Sequence, residues 1–163
     1  MTFYYILCFF SLHNVRPLLE YNTVLWSPYI KQDIERLENV QRRFTKRLVG
    51  LKHVEYSERL QQLHSLELRI LRTDLIWCYK IVFGLVRLNF GDFLKYCPVS
   101  TTRGHPCKLY TSHCTSIRSR FFAHRVIKAW NSLLQSTNFS SLAAFKRSIL
   151  QTNHSKHLTM FFV

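Results

Sequence analysis

The chain has 163 residues, 47% of them apolar, with only four glycines and four prolines, which excludes a disordered tail and suits one sizeable core or two small ones. Its 23 lysines and arginines outnumber nine aspartates and glutamates, giving a formal net charge of +14. This excess is far beyond what solubility needs and favours a polyanionic partner, such as RNA, DNA or an anionic membrane surface.

The first apolar run, residues 3–10, is shorter than the ~20 residues that a membrane-spanning helix needs. It lacks a positive leader and a small-residue cleavage site, so we do not interpret it as a secretory signal. The spacing predicts a core helix from about residue 2 to 26, broken at Pro17 and ended before Pro28. An anchor at residues 3–12 stays open as an alternative, although a membrane partner is not expected.

Apolar residues recur at helical spacing through most of the remaining chain. The predicted helices span about 30–51, 56–63, 66–85, 118–134 and 141–150. The helix at 66–85 should stop near Gly84, and Ser141 is a plausible N-cap for the helix at 141–150.

Residues 89–118 break the helical pattern with Gly, Pro, Ser, Thr and His, which predicts an irregular linker with at most a short strand at 108–111. The fold class is therefore mostly α, a small helical bundle of about five to six helices with little or no sheet. The predicted organisation is a helical bundle at 1–88, a polar linker at 89–118, a C-terminal helical hairpin at 119–151 and a tail at 152–163.

The helix predicted at 30–51 separates charge from apolar residues on a wheel of 100° per residue. Arg42, Arg43 and Lys46 lie nearly opposite its apolar face, and Glu38 could pair with Arg42 at i,i+4. For one helix, a solvated outer face is explanation enough.

Two further helices carry cationic rows. Arg69, Arg72 and Lys80 share a narrow stripe on an otherwise apolar helix, where an anion or a partner carboxylate must meet them. Arg120, His124 and Lys128 lie opposite the core face of the helix at 118–134, a face formed by Phe122, Val126, Ala129, Trp130 and Leu133. Three rows with few acids favour contact with the phosphates of RNA or DNA.

Six strings are familiar as a set: VRPLLEYNTVLWSPY, LENVQRRFTKRLVGL, DLIWCYKIVFG, TTRGHPCKLY, RFFAHRVIKAWNSLL and LAAFKRSIL. In this order they resemble the region just after the catalytic palm in reverse transcriptases of LINE-type, non-LTR retrotransposons, in the jockey and chicken-repeat branch. The resemblance covers about residues 15–150. It implies a helical thumb, which would fall within the predicted bundle at 1–88, and a C-terminal extension that hold template RNA and primed DNA, with a separate palm as a further partner.

Enzymatic chemistry finds little support in the sequence. Polymerisation by two metal ions needs clustered carboxylates, whereas Asp33, Asp74 and Asp92 are isolated. The resemblance supplies no catalytic residue in this region either. We therefore expect a non-catalytic protein with no cofactor and no small-molecule substrate.

The linker also contains soft metal ligands, but their spacing is irregular for a structural zinc site, and we expect no metal. These are Cys97, His105, Cys107, His113 and Cys114. The five cysteines, which also include Cys8 and Cys78, form no CxxC pair and indicate a reduced, intracellular setting in the nucleus or cytoplasm.

The aromatic residues offer a different kind of site, because exposed rings can stack on bases. Trp26, Trp77 and Trp130 lie at or beside apolar faces, so we assign them to core packing. Tyr110, in the linker, is the better stacking candidate.

A helical interaction or scaffold module that binds acidic protein surfaces is the remaining alternative function.

Overall fold

The computed structural model describes residues 16–28, 30–48, 50–98, 104–113 and 119–151. Over these residues the chain is mostly helical, as predicted, and contains no strand; its β structure is one isolated antiparallel bridge, between Tyr96 and Leu109. The helices are α1 (Arg16–Glu20), α2 (Lys31–Thr45), α3 (Tyr56–Leu63), α4 (Leu66–Val82), α5 (Phe90–Phe93), α6 (Phe122–Asn131) and α7 (Leu142–Gln151).

Boundaries of three helices follow the sequence signals closely. Helix α3 has the predicted bounds. Helix α4 ends three residues early, at Val82, where Gly84 adopts a φ of 66° and the amide of Leu85 donates to the carbonyl of Lys80 at 2.8 Å. The hydroxyl of Ser141 accepts from the amide of Ala144 at 3.2 Å, so Ser141 caps α7 as predicted.

Helix α2 ends at Thr45, six residues before the predicted end. The carbonyl of Arg42 accepts from the amide of Lys46, from the hydroxyl of Thr45 at 3.2 Å and from the Arg59 guanidinium at 3.1 Å. Beyond this point the chain forms tighter turns, and Gly50 has a φ of 84°. The carbonyl of Arg42 is thus shared with two side-chain donors, and a left-handed glycine follows, where apolar spacing alone would continue the helix.

The helix predicted at 2–26 ends earlier than expected. It ends at Glu20, and Asn22 takes a left-handed φ of 52°, which a continuous helix does not allow. The predicted stretch before residue 16, including the alternative membrane anchor, lies outside the described residues, as does the tail. No helix of the described chain is long and apolar enough to cross a bilayer.

The chain divides into two compact units within helix α4. Of the described residues, the first unit takes in 16–23 and 28–70, and the second 24–27 and 71–151. The first unit buries Ile34, Leu48, Leu51, Leu66 and Ile70.

The second unit has the larger apolar core. Trp130 and Phe145 are completely buried there, and burial of such a side chain stabilises the fold by about 1.5–3 kcal/mol. The segment predicted as a linker, 89–118, belongs to this unit where it is described: it forms the short helix α5 and buries Leu94 and Leu109. The core cluster comprises Leu75, Cys78, Tyr79, Ile81, Leu94, Leu109, Val126, Ile127, Ala129, Trp130, Leu133, Phe145 and Ile149.

Candidate nucleic-acid interface

The cations of α2 lie on its exposed side. Arg42, Arg43 and Lys46 are exposed, whereas the other side of the helix is buried. None of the three forms an ion pair with an acidic residue of the described chain. Their charge is therefore available to an external anion.

The buried side of α2 differs from the predicted apolar face, because it also contains Glu38, Gln41 and Thr45. The predicted pairing of Glu38 with Arg42 is wrong. The Glu38 carboxylate is 2% exposed and accepts hydrogen bonds from the Tyr56 hydroxyl and, at 3.0 Å, from the amide of Leu66. A buried amide at the start of α4 needs an acceptor, and Glu38 supplies it.

Tyr56 links this buried network to the exposed cations. The guanidinium carbon of Arg42 lies 4.5 Å from the centroid of the Tyr56 ring, within cation–π range. Burial, and secondarily the bond to Glu38, raises the pKa of the Tyr56 hydroxyl, which keeps it a neutral donor. Through the cation–π contact, the Tyr56 ring restrains the Arg42 side chain at the surface.

Arg59 is a cation that serves the fold. It is 5% exposed, and its guanidinium donates to the hydroxyl of Thr45 at 2.8 Å and to the carbonyl of Arg42. These groups lie at the C-terminal end of α2, where the helix dipole favours positive charge. Its charge is therefore used within the first unit.

Arg69 is likewise engaged inside the first unit. Its guanidinium donates to Glu20 at 2.5 Å, to the side-chain oxygen of Gln41 at 2.7 Å and to the carbonyl of His64 at 2.7 Å. The sequence required either an external anion or a partner carboxylate for the stripe of Arg69, Arg72 and Lys80. For Arg69 the partner is a carboxylate, that of Glu20. A phosphate would have to displace these bonds, so Arg69 is the weakest of the predicted contacts.

The other two cations of the stripe belong to the second unit and are half-buried. Arg72 donates to the carbonyl of Leu150 at 3.3 Å, near the C-terminal end of α7, and burial lowers its pKa. The Lys80 ammonium lies 4.6 Å from the centroid of the Trp77 ring. Both are partly committed to the protein, so neither offers the open charge that α2 presents.

The row predicted on α6 lies on the side of that helix away from the core. Lys128 is exposed, as is Arg120, which precedes the first turn. His124 is half-buried, and its Nδ1 lies 3.4 Å from the Ser112 hydroxyl. Four of the five predicted core residues, Val126, Ala129, Trp130 and Leu133, are fully buried, and Phe122 is half-buried, so the orientation of α6 is confirmed.

Sequence reasoning left out further exposed cations, among them Arg47, which follows α2, and Lys146 and Arg147 on α7. The helical wheel could have found the α7 pair, because both residues flank the buried positions Phe145 and Ile149. Sequence reasoning also missed the ion pair between Arg125 of α6 and Asp74 of α4, because the two residues are distant in sequence.

The metal-ligand candidates of the segment predicted as a linker, 89–118, are in part described by the structure. His105 is 1% exposed, and its Nε2 lies 2.8 Å from the carbonyl of Trp130; burial lowers its pKa. Cys97 and Cys107 are free thiols. Within the described residues no group of three or more His, Cys, Asp or Glu is placed to hold a metal ion. Cys114 lies outside them.

The tryptophans assigned to the core differ in burial. Trp130 is fully buried and its indole N–H donates to the carbonyl of Cys107 at 2.7 Å, whereas Trp26 is 42% exposed. Trp77 is half-buried. Tyr110, the predicted stacking candidate, is 49% exposed.

Comparison of the chain with protein-family models, curated proteins and solved structures found no match. The resemblance to non-LTR reverse transcriptases therefore stays a prediction from the six sequence strings.

Proposed function

We propose that this protein is a non-catalytic, helical nucleic-acid-binding module, similar to the thumb and C-terminal extension of a retrotransposon reverse transcriptase. It binds the phosphate backbone of RNA or DNA through basic helix faces. The proposal puts the protein in the nucleus or cytoplasm, where these polyanions are found.

The observation that carries the proposal is the exposed cationic face of α2. Arg42 and Arg43 lie on the exposed side of α2, Lys46 directly follows its last residue, and none of the three has an acidic partner among the described residues. The ring of Tyr56 restrains Arg42, so less side-chain freedom is lost when a phosphate binds. The net charge of +14 adds attraction at longer range.

Salt dependence tests this interface directly. Each phosphate contact that a cation neutralises adds roughly 0.7 to 0.9 to the slope of log K against log salt. Replacing Arg42, Arg43 and Lys46 by Gln should therefore lower the slope by about two to three for RNA and DNA of any sequence. The melting temperature should change little, because all three side chains are exposed.

A matched control removes the same charge from exposed positions outside α2, by replacing Lys52, Arg87 and Arg147 with Gln. This variant should keep most of the slope if the α2 face makes the contacts. Equal slopes in the two variants would mean that total charge, and no particular face, attracts the nucleic acid. An unchanged slope in the first variant would reduce the α2 face to a solvated surface.

The non-catalytic part of the proposal has its own test. Purified protein given a primed RNA template, all four dNTPs and Mg²⁺ or Mn²⁺ should extend no primer. Extension that survives further purification would contradict it, since the isolated aspartates of the sequence would then have to hold two metal ions.

A protein-binding module is the second candidate, and exposed apolar residues near α1 favour it. Leu18 is 79% exposed and Tyr21 is 72% exposed, large fractions for such residues. A separate reverse transcriptase palm is the partner that the resemblance implies for them. Tight binding to a purified palm that persists in high salt, without salt-dependent binding of RNA, would favour this function over the first.

A further inference from the structure

Two segments of the second unit form a short antiparallel ribbon. The amide of Cys97 donates to the carbonyl of Lys108 at 2.9 Å, and the amide of Tyr110 donates to the carbonyl of Lys95 at 2.8 Å. These bonds flank the bridge between Tyr96 and Leu109. Lys95 and Tyr110 therefore lie directly opposite each other across the ribbon.

The two faces of the ribbon differ in character, because successive side chains of extended backbone point to opposite faces. Leu109 and Tyr96 share the inner face: Leu109 is 1% exposed and belongs to the core, and the ring of Tyr96, although 52% exposed, lies 4.6 Å from that of Phe90. The outer face contains Lys95, Cys97, Lys108 and Tyr110, and it includes no acidic residue.

Tyr110 is the unusual member of the outer face. Its side chain is 49% exposed, and it makes no ring contact or hydrogen bond with the described residues. The ring therefore contributes little to the core, and one π-face can be covered by a ligand. Lys95 beside it is exposed, which places a cation next to an open aromatic ring.

An open ring beside cations suits a base together with its phosphate. Every base has a π-face, so a tyrosine can stack on any of them, and a neighbouring ammonium attracts the backbone. In a duplex the base faces are covered by adjacent base pairs. The site consequently fits an unpaired nucleotide better than a base-paired one.

We propose that the outer face of this ribbon is a stacking site for single-stranded RNA or DNA, with Tyr110 stacking on one base and Lys95 contacting a phosphate. The proposal rests on the proposed function and adds to it a second site, separate in sequence from α2, and a preference for unpaired nucleotides.

Binding of one fluorescent oligonucleotide to the whole protein tests the site, in single-stranded form and as a duplex with its complement. Tyr110→Ala should weaken single-strand binding by about fivefold or more. Tyr110→Phe should retain the affinity, because it keeps the ring. Duplex binding should change by less than about twofold in both variants, since stacking needs an uncovered base face.

A single strand in which abasic sites replace the bases separates stacking from charge, since its phosphates are unchanged. The wild-type protein should bind it more weakly than the normal strand, whereas Tyr110→Ala should bind the two strands alike. Phe121→Ala, which removes another exposed ring of the second unit, is the matched control and should resemble the wild type. Thermal melts check that each variant is folded.

The possible outcomes distinguish this inference from the proposed function. If Tyr110→Ala binds like the wild type, or loses as much affinity for the duplex as for the single strand, the stacking site is refuted. The function still stands in that case if the α2 triple variant loses salt dependence. If the wild-type protein binds neither oligonucleotide in low salt, the proposed function fails and the stacking site fails with it.

Discussion

The ion pair between Asp74 and Arg125 makes the second unit sensitive to one substitution, Arg125→Leu. The Asp74 carboxylate is 3% exposed and receives two hydrogen bonds from the guanidinium of Arg125, at 2.7 and 2.8 Å. The substitution leaves this carboxylate buried without its cation. Breaking a buried pair from one side costs about 3–5 kcal/mol, a large share of the ~5–15 kcal/mol that stabilises a typical domain.

The cost should depend on pH in a defined direction. Burial raises the pKa of the Asp74 carboxyl, and the ion pair with Arg125 acts against this rise. The folded protein thus binds this proton more readily than the unfolded chain, so stability falls as pH rises from about 4 through the raised pKa. Loss of Arg125 removes only the lowering effect, which raises the pKa further. The destabilisation by Arg125→Leu should therefore be smallest near pH 4 and grow with pH.

Urea denaturation followed by circular dichroism, at several pH values between 4 and 8, measures this difference against the wild type. Arg147→Leu removes an exposed arginine from α7 and should cost less than about 0.5 kcal/mol at every pH. The double variant Asp74→Leu/Arg125→Leu should be more stable than Arg125→Leu at pH 8, because no buried charge is left. A cost for Arg125→Leu below about 1 kcal/mol that is also independent of pH would refute this reasoning.

Two further predictions test the packing and the interface. Leu75→Asp should destabilise the protein by several kcal/mol because Leu75 is fully buried, and the exposed Arg43→Ala should cost less than about 0.5 kcal/mol. Equal melting temperatures for these two variants would contradict the packing of α4. Tyr56→Leu should weaken RNA binding about two- to fivefold in the wild type and not at all in Arg42→Gln, because the ring acts through Arg42; equal losses in both backgrounds would exclude this coupling.

Local signals in the sequence were enough to find most helices. The bounds of α3 and the cap at Ser141 were predicted because both depend on residues within one helical turn. The early end of α2 was not predicted. At this end the carbonyl of Arg42 also accepts from Arg59, which lies 17 positions further along the chain. A helical wheel contains no information about such a donor.

The same limit applies to the candidate interface. The wheel correctly separated Arg42, Arg43 and Lys46 from the buried side of α2, since that separation follows from helical periodicity alone. It could not predict that Arg69 pairs with Glu20, because these residues are 49 positions apart. Periodicity identifies the exposed face of a helix, but only the fold determines which of its cations are already paired.

The rate at which the buried thiol of Cys78 is alkylated reports how often the core of the second unit opens. Cys78 is completely buried and burial raises its pKa, so it holds almost no thiolate, the form that reacts with alkylating reagents. Cys97 and Cys107 are only half-buried. Modification of Cys78 therefore has to wait for the core around it to open, and the delay measures how often this happens under native conditions.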